Sequence, residues 1–220
     1  MSPALSEHLS LAFGFAKPPQ KDVSVVVLQY REYPSPKLRK SSLIRANADL
    51  ASEKANHYPC QLQQAVSLME HLLHTEKILP SAITLIGDSA GGHLLLSLIL
   101  HLGHSNPLVS PLEIDGQFSG AVLISPWVAM DTSAESMLAN KRKDILSAPA
   151  LAYWAQNFLG GAAPDSWNTP LMTPTEWWSD LPVSEIVVMY GDDELLRDDT
   201  SMLCEKLKVY RRPNFFGVPS

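Results

Sequence analysis

The sequence has few cysteines, few basic residues and no long apolar run, and each shortage excludes a class of protein. Its 220 residues include only two cysteines, Cys60 and Cys204, too few for a disulfide framework and too far apart for a cysteine metal site. Lysine and arginine number 17 against 23 acidic residues, a net charge of −6, so nothing favours binding to nucleic acid or to an anionic membrane surface. No segment reaches the roughly 18 apolar residues of a transmembrane helix.

The composition suits a single α/β domain over residues 1–220, because 45% of the residues are hydrophobic and 18% are charged. Apolar β-branched segments predict strands at 23–30, 82–87, 120–128 and 184–191, and helical periodicity predicts helices at 4–16, 59–72, 91–102, 147–160 and 198–210. Apolar strands that alternate with helices indicate a mostly parallel sheet with helices on both faces. No basic segment precedes the first helix, so a signal peptide is not predicted and a cytoplasmic location is expected.

Two segments do not fit this alternation. Residues 31–57 contain prolines and scattered charge without a hydrophobic period, and we expect an irregular insertion there. Residues 133–180 contain four of the five tryptophans, and we expect a partial cap with an apolar pocket. Those tryptophans are Trp154, Trp167, Trp177 and Trp178. Tryptophans packed in an ordinary core explain the same composition at least as well.

A short polar turn separates the predicted strand at 82–87 from an apolar helix. Its residues, Gly87-Asp88-Ser89-Ala90-Gly91, fit the pattern G-x-S-x-G. So abrupt a turn forces the central serine into a strained conformation, and the flanking glycines remove side chains that would collide there. The Ser89 hydroxyl then lies at a helix N-terminus, where negative charge is stabilised. Ser89 is the candidate nucleophile and the Ala90 N–H a candidate oxyanion donor; a glycine-rich turn with a capping serine is the simpler interpretation.

Several segments together resemble the hormone-sensitive-lipase-like branch of the α/β-hydrolase fold, the fold-3 esterases and lipases. GDSAGG (87–92) is similar to its nucleophile elbow, LISPWV (123–128) to its Ser-Pro-Trp strand, and YGDDELLRDD (190–199) to the segment with its catalytic acid. VVVLQY and, after a gap, LASEKANHYPCQLQQAV (50–66) resemble its strand and its LAPE and YP stretch. The resemblance implies a serine carboxylic-ester hydrolase that acts through an acyl-enzyme on a small ester or lipid-like substrate, without a cofactor or metal.

That resemblance also implies which residue is the catalytic acid. The family places it two residues before a Leu-Arg-Asp, and Leu196–Asp198 put Glu194 at that position. Asp193 is the second choice and Asp192 a distant third. The carboxylate would hold the triad histidine in its working tautomer, whereas a solvated acidic turn that caps the last helix is the alternative interpretation.

The histidine of such a triad has no counterpart after Glu194. The fold orders its triad Ser, acid, His, and the seven histidines are His8, His57, His71, His74, His93, His101 and His104. His93 follows Ser89 by one helical turn and is expected on the helix body that leads away from the site. The family's H-G-G-G oxyanion loop is also missing, because the chain opens on a predicted helix.

These departures predict an incomplete α/β-hydrolase fold that lacks its leading strands, its final strand and its histidine loop. The activity of the chain is then expected to be impaired. Alternatives are a divergent member with a natural loop insertion at 31–57, a non-catalytic binding protein on the same fold, a defective gene product, and a serine peptidase of the same fold.

Overall fold

The structure is a computed structural model that describes residues 57–210 and 215–219, together with positions 24, 26 and 28. Contacts divide the chain into two units, Met1–Tyr30 and Arg31–Ser220, and every element below belongs to the second. The predicted helix at 4–16 and the insertion at 31–57, apart from His57, lie outside the described residues. The three described positions within 23–30 have no strand hydrogen bonding. The single domain over 1–220 stays a prediction.

The described part of the chain alternates helices and strands, as the sequence predicts. Its α-helices are α1 (Cys60–Glu70), α2 (Ala90–Gly103), α3 (Glu135–Ala139), α4 (Ala148–Leu159) and α5 (Arg197–Tyr210). Its strands are β1 (Thr84–Asp88), β2 (Gly120–Ile124), β3 (Ile186–Tyr190) and β4 (Phe215–Pro219). A π-helical turn, His71–Thr75, continues α1, and short 3-10 turns cover Pro80–Ala82, Pro170–Met172 and Thr175–Trp178. No described helix has both the length and the apolar character needed to cross a membrane.

The four strands form one parallel sheet in the order β1-β2-β3-β4. In its register Gly87 lies beside Leu123, and Leu123 beside Val188. Because all four strands run the same way, their carboxyl ends meet at one edge of the sheet, where such folds bind ligands. The sheet continues one strand further than predicted. The sequence does not predict β4 because it contains Gly217 and Pro219, and both residue types are rare in strands.

Helices cover one face of the sheet and form the core. The predicted apolar stripe of α1 is confirmed, because Leu62, Ala65, Val66, Met69 and Leu72 are all buried. Helix α2 packs on β1 and β2, and α5 packs on β3 and β4. Leu85 and Val188 are buried, while Ile86 and Met189 on the opposite face are each 41% exposed, so the second face is more open than the first.

Strand β2 is shorter than the sequence predicts, and its early end shapes the functional edge. The predicted strand ran over 120–128, but β2 ends at Ile124. Ser125 has a φ of +44°, outside the strand region, and Pro126 has no N–H to donate to a neighbouring strand. The chain therefore leaves the sheet at Ser125.

Candidate active site

Ser89 lies at the turn between β1 and α2, as the G-x-S-x-G motif predicts. Its φ of 52° and ψ of −116° are strained for a residue with a side chain. The Ser89 N–H donates to the Ile124 carbonyl at 2.9 Å, and the Ser89 carbonyl accepts the N–H of His93 at 3.0 Å. Ala90 is the first residue of α2, where backbone N–H groups lack an acceptor within the helix. The turn thus presents a hydroxyl beside a helix N-terminus.

The glycines around Ser89 have different roles. A Cβ on Gly87 would stand 2.5 Å from the Gly91 carbonyl oxygen, and a Cβ on Gly92 would stand 2.9 Å from the Pro126 Cβ. A Cβ on Gly91 would have no atom within 4 Å. The prediction that both flanking glycines avoid a collision is therefore right for Gly87 and wrong for Gly91, whose carbonyl is the atom that Gly87 avoids.

Glu194 follows β3 and is held at this same edge of the sheet. Its Oε1 accepts the Ser125 hydroxyl at 2.7 Å and the Gly191 N–H at 2.9 Å. A Cβ on Gly191 would stand 3.0 Å from that oxygen, so the glycine gives the carboxylate room. Its Oε2 is buried and has no hydrogen-bond partner among the described residues. The carboxylate therefore has one oxygen with two hydrogen bonds and one buried oxygen with none from the described residues.

The two other candidate acids point elsewhere. Asp193 is exposed and forms an ion pair with Lys143 at 2.6 Å. The Asp192 side chain is also exposed, and its carbonyl accepts hydrogen bonds from Asn140 and Arg197. Of the three acids proposed from the sequence, only Glu194 bonds to a residue that follows a neighbouring strand.

A cavity of about 760 Å³ brings Ser89, Ser125 and Glu194 together with the segment 143–146. That segment belongs to the predicted cap, 133–180, but none of the region's tryptophans lines this cavity. Trp178 is fully buried, so the core interpretation is right for it. Among the described residues, no three His, Cys, Asp or Glu side chains are grouped to hold a metal ion.

A polar clamp, Ser136, Asn140 and Asp144, holds the turn that carries Glu194. The Asn140 side chain donates to the carbonyls of Asp192 and Glu194 at 3.0 and 2.9 Å. Asp144 accepts the N–H of Leu195 at 2.6 Å, and Ser136 donates to the Leu195 carbonyl at 2.6 Å. The sequence analysis missed this clamp, because nothing in a single sequence pairs residues about 50 positions apart.

His93, one helical turn after Ser89, makes a structural hydrogen bond away from the candidate site. His93 donates its Nε2 hydrogen to the Asn168 carbonyl at 3.0 Å, and its ring meets the Phe158 ring edge-on at 5.0 Å. Burial lowers its pKa to about 4, so the ring is neutral at pH 7. Within the described residues, no hydrogen bond joins a histidine to Glu194.

Comparisons with known proteins agree with this geometry. Residues 49–214 match the profile of the family described as alpha/beta hydrolase fold. An acetyl-hydrolase of Streptomyces hygroscopicus is 28% identical over 92% of this chain and 56% of its own length. Steryl acetyl hydrolase 1 of Saccharomyces cerevisiae is 24% identical over 70% of this chain and 37% of its own length. The chain thus spans about half the length, or less, of these curated relatives.

A solved structure gives the same result for the fold. An esterase from the bacterial hormone-sensitive lipase family superposes with a TM-score of 0.60 and 25% identity. The match covers 74% of this chain and 50% of that esterase. Taken with the profile match over residues 49–214, the parallel sheet and the elbow at Ser89, this means that the chain belongs to the hormone-sensitive-lipase-like branch of the α/β-hydrolase family.

Proposed function

We propose that the chain carries the nucleophile and the acid of a serine carboxylic-ester hydrolase that cleaves acetyl or other short acyl esters. The observation that carries this proposal is that a strained Ser89 and Glu194 line the same cavity at one sheet edge, and that Glu194 Oε2 has no hydrogen-bond partner among the described residues. Relatives named acetyl-hydrolases support the acyl group. The substrate is a small ester or lipid-like molecule, and a cytoplasmic location stays a prediction.

In the proposed reaction the Ser89 Oγ attacks the ester carbonyl carbon while its proton passes to a histidine. The resulting oxyanion accepts the Ala90 N–H, and a second donor completes the oxyanion hole. The C–O bond to the alcohol then breaks, the histidine protonates the leaving oxygen, and water hydrolyses the acyl-enzyme by the same route. Glu194 Oε2 accepts the N–H of the imidazole and stabilises the charge that develops on it.

The base and the second oxyanion donor are the parts of this machinery that the described residues do not supply. No histidine follows Glu194 in the sequence, and the His93 Nε2 hydrogen is donated to Asn168. Ser89 without a base is a weak nucleophile at neutral pH. We therefore propose that Ser89 of this 220-residue chain is acylated slowly by the ester. A non-catalytic binding protein on the same fold is the second candidate function.

The test is hydrolysis of p-nitrophenyl acetate by the purified chain, beside Ser89→Ala. The proposal predicts weak turnover that disappears in the variant, a lower rate on p-nitrophenyl butyrate, and none on a p-nitroanilide amide. Turnover equal in both proteins would leave the binding role as the better account, and preferred cleavage of the anilide would favour a peptidase. Ser89-dependent turnover at ordinary enzyme rates, about 1 to 10³ per second, would mean that another group in the chain acts as the base.

A further inference from the structure

Ser125 lies between the candidate nucleophile and the candidate acid. It is the first residue after β2, the strand that separates β1 from β3. Its N–H donates to the Met189 carbonyl at 2.7 Å, just as the Ser89 N–H donates to the Ile124 carbonyl at 2.9 Å. These two bonds continue the sheet just past its strand ends. The backbone of Ser125 is tied directly to β3, and its neighbour Ile124 is tied to Ser89, the residue after β1.

The side chain of Ser125 is directed at the acid. Its hydroxyl donates to Glu194 Oε1 at 2.7 Å, a well-formed O–H···O hydrogen bond. With the Gly191 N–H, this donor places two hydrogen bonds on Oε1 and none from a described residue on Oε2. The hydroxyl thereby fixes which carboxylate oxygen is left without a partner among the described residues, and that oxygen is buried.

The backbone of Ser125 is not the one a serine prefers. Its φ is +44°, and the only other described non-glycine residues with positive φ are Lys77 and Ser89. Ser89 and Ser125 both line the cavity. A glycine would adopt this conformation at less cost, and such strain in a residue with a side chain concentrates at functional sites. A requirement for the hydroxyl explains why the strained residue is a serine.

We propose that Ser125 is a positioning residue whose hydroxyl fixes Glu194 Oε1, so that Oε2 stays aimed at the site of the triad imidazole. This inference rests on the proposed function only in the role given to Glu194. It assigns Ser125 no contact with the reacting atoms. Its function is to restrict the Glu194 carboxylate to one orientation.

Two variants separate this positioning from a merely structural role. Ser125→Gly relieves the positive φ and removes the hydroxyl, so the protein should stay as stable as wild type or become more stable while Glu194 is released. Ser125→Thr keeps the hydroxyl but places a β-branched residue at a positive φ, so it should lose stability while Glu194 stays held. If Ser125 had only a structural role, the stability of the protein and the position of the Glu194 carboxylate would change together in each variant.

The first readout needs no catalysis. The side-chain carboxyl ¹³C NMR signal of Glu194 is identified by its absence in Glu194→Gln, and the exposed Glu205 serves as the internal control. At pH 7 we expect the Glu194 signal to move toward that of a solvated glutamate in Ser125→Gly and to stay in place in Ser125→Thr. An unchanged Glu194 signal in Ser125→Gly would overturn the proposal, whether or not the chain hydrolyses esters.

The second readout is the rate at which a fluorophosphonate probe phosphonylates Ser89, with release of fluoride, in buffer with added imidazole in place of the histidine that the chain does not supply. Loss of one hydrogen bond to a carboxylate should slow labelling of Ser125→Gly roughly 10- to 100-fold, at an unchanged or higher melting temperature. Equal labelling rates in wild type and Ser125→Gly would also overturn the proposal. A wild type that does not label at Ser89 contradicts the proposed function alone, and the NMR comparison then decides the role of Ser125.

Discussion

The carbonyl oxygen of Gly91 lies 2.5 Å from the point where a Cβ on Gly87 would stand. The end of β1 and the first turn of α2 therefore approach so closely that only the hydrogen of a glycine fits at position 87. This contact sets the sharpness of the turn and hence the exposure of the Ser89 hydroxyl.

Gly87→Ala should consequently damage the fold, whereas Gly91→Ala should not. The new methyl at Gly87 meets backbone atoms of Gly91 and Gly92 at 2.5 to 2.8 Å, and overpacking of this kind costs about 1 to 3 kcal/mol. The methyl at Gly91 enters open space, and alanine favours a helix by up to about 1 kcal/mol over glycine. Urea denaturation of both variants measures the free energy of unfolding. Equal losses would show that the elbow is not held by this contact.

Replacement of the two neighbouring acids should have unequal effects on Ser89 reactivity. Glu194→Gln replaces the carboxylate with a neutral amide, a type of change that costs up to about 10⁴ in rate in a complete triad. Asp193→Asn breaks an exposed ion pair with Lys143, which is worth at most about 1 kcal/mol. Fluorophosphonate labelling rates of the two variants, in buffer with added imidazole as the base, measure the difference. A larger loss in Asp193→Asn would transfer the role of the acid to Asp193.

Asn140→Leu should destabilise the turn that carries Glu194. Asn140 is 1% exposed, and its replacement by an apolar residue of similar volume removes one hydrogen bond from each of the Asp192 and Glu194 carbonyls, which keep only their bonds from Arg197, at about 1 to 3 kcal/mol. Hydrogen exchange should increase over residues 191–196, and the melting temperature should fall. Arg142→Ala, an exposed change two residues away, is the matched control with an expected effect within about 0.5 kcal/mol. Unchanged exchange in Asn140→Leu would mean that the clamp is dispensable.

The buried His93 should make stability depend on pH. Its pKa is lowered from 6.5 to about 4 by burial, so the folded state binds fewer protons than the unfolded state between these values. The stabilisation is fully present above pH 6.5 and is lost as the pH falls toward 4, by on the order of 3 kcal/mol.

A variant is needed to isolate this effect, because Asp199 acts in the opposite direction. Burial, with the charges of Asp131 and Asp198, raises the Asp199 pKa to about 6, so its ionisation removes stability as the pH rises from 4 to 6. The free energy of unfolding of wild type minus that of His93→Gln should therefore increase from pH 4 to pH 7. A difference independent of pH would contradict the buried neutral histidine.

Local signals in the sequence predicted much of the fold and part of the site. The elbow at Ser89 is a pattern of five consecutive residues with a strand before it and a helix after it, and all three were found where predicted. The end of β2 was missed although Pro126 signals it, since the apolar run continues past the proline. The Ser125–Glu194 bond joins residues 69 positions apart, and such a pairing follows only from the parallel order of the strands. The tryptophans suggested an apolar pocket, but aromatic residues serve a core equally well.

The most direct test of the proposed site is mass-spectrometric mapping of the fluorophosphonate adduct on the 220-residue chain, with and without added imidazole. The site as proposed lacks its base and its second oxyanion donor, so we expect slow labelling confined to Ser89, acceleration by imidazole in wild type, and little acceleration in Glu194→Gln. Ser89→Ala should remain unlabelled in both buffers. Rapid labelling without imidazole would show that the chain already holds a working base. Labelling at other residues, or no adduct at Ser89 in either buffer, would contradict the assignment of Ser89 as the nucleophile.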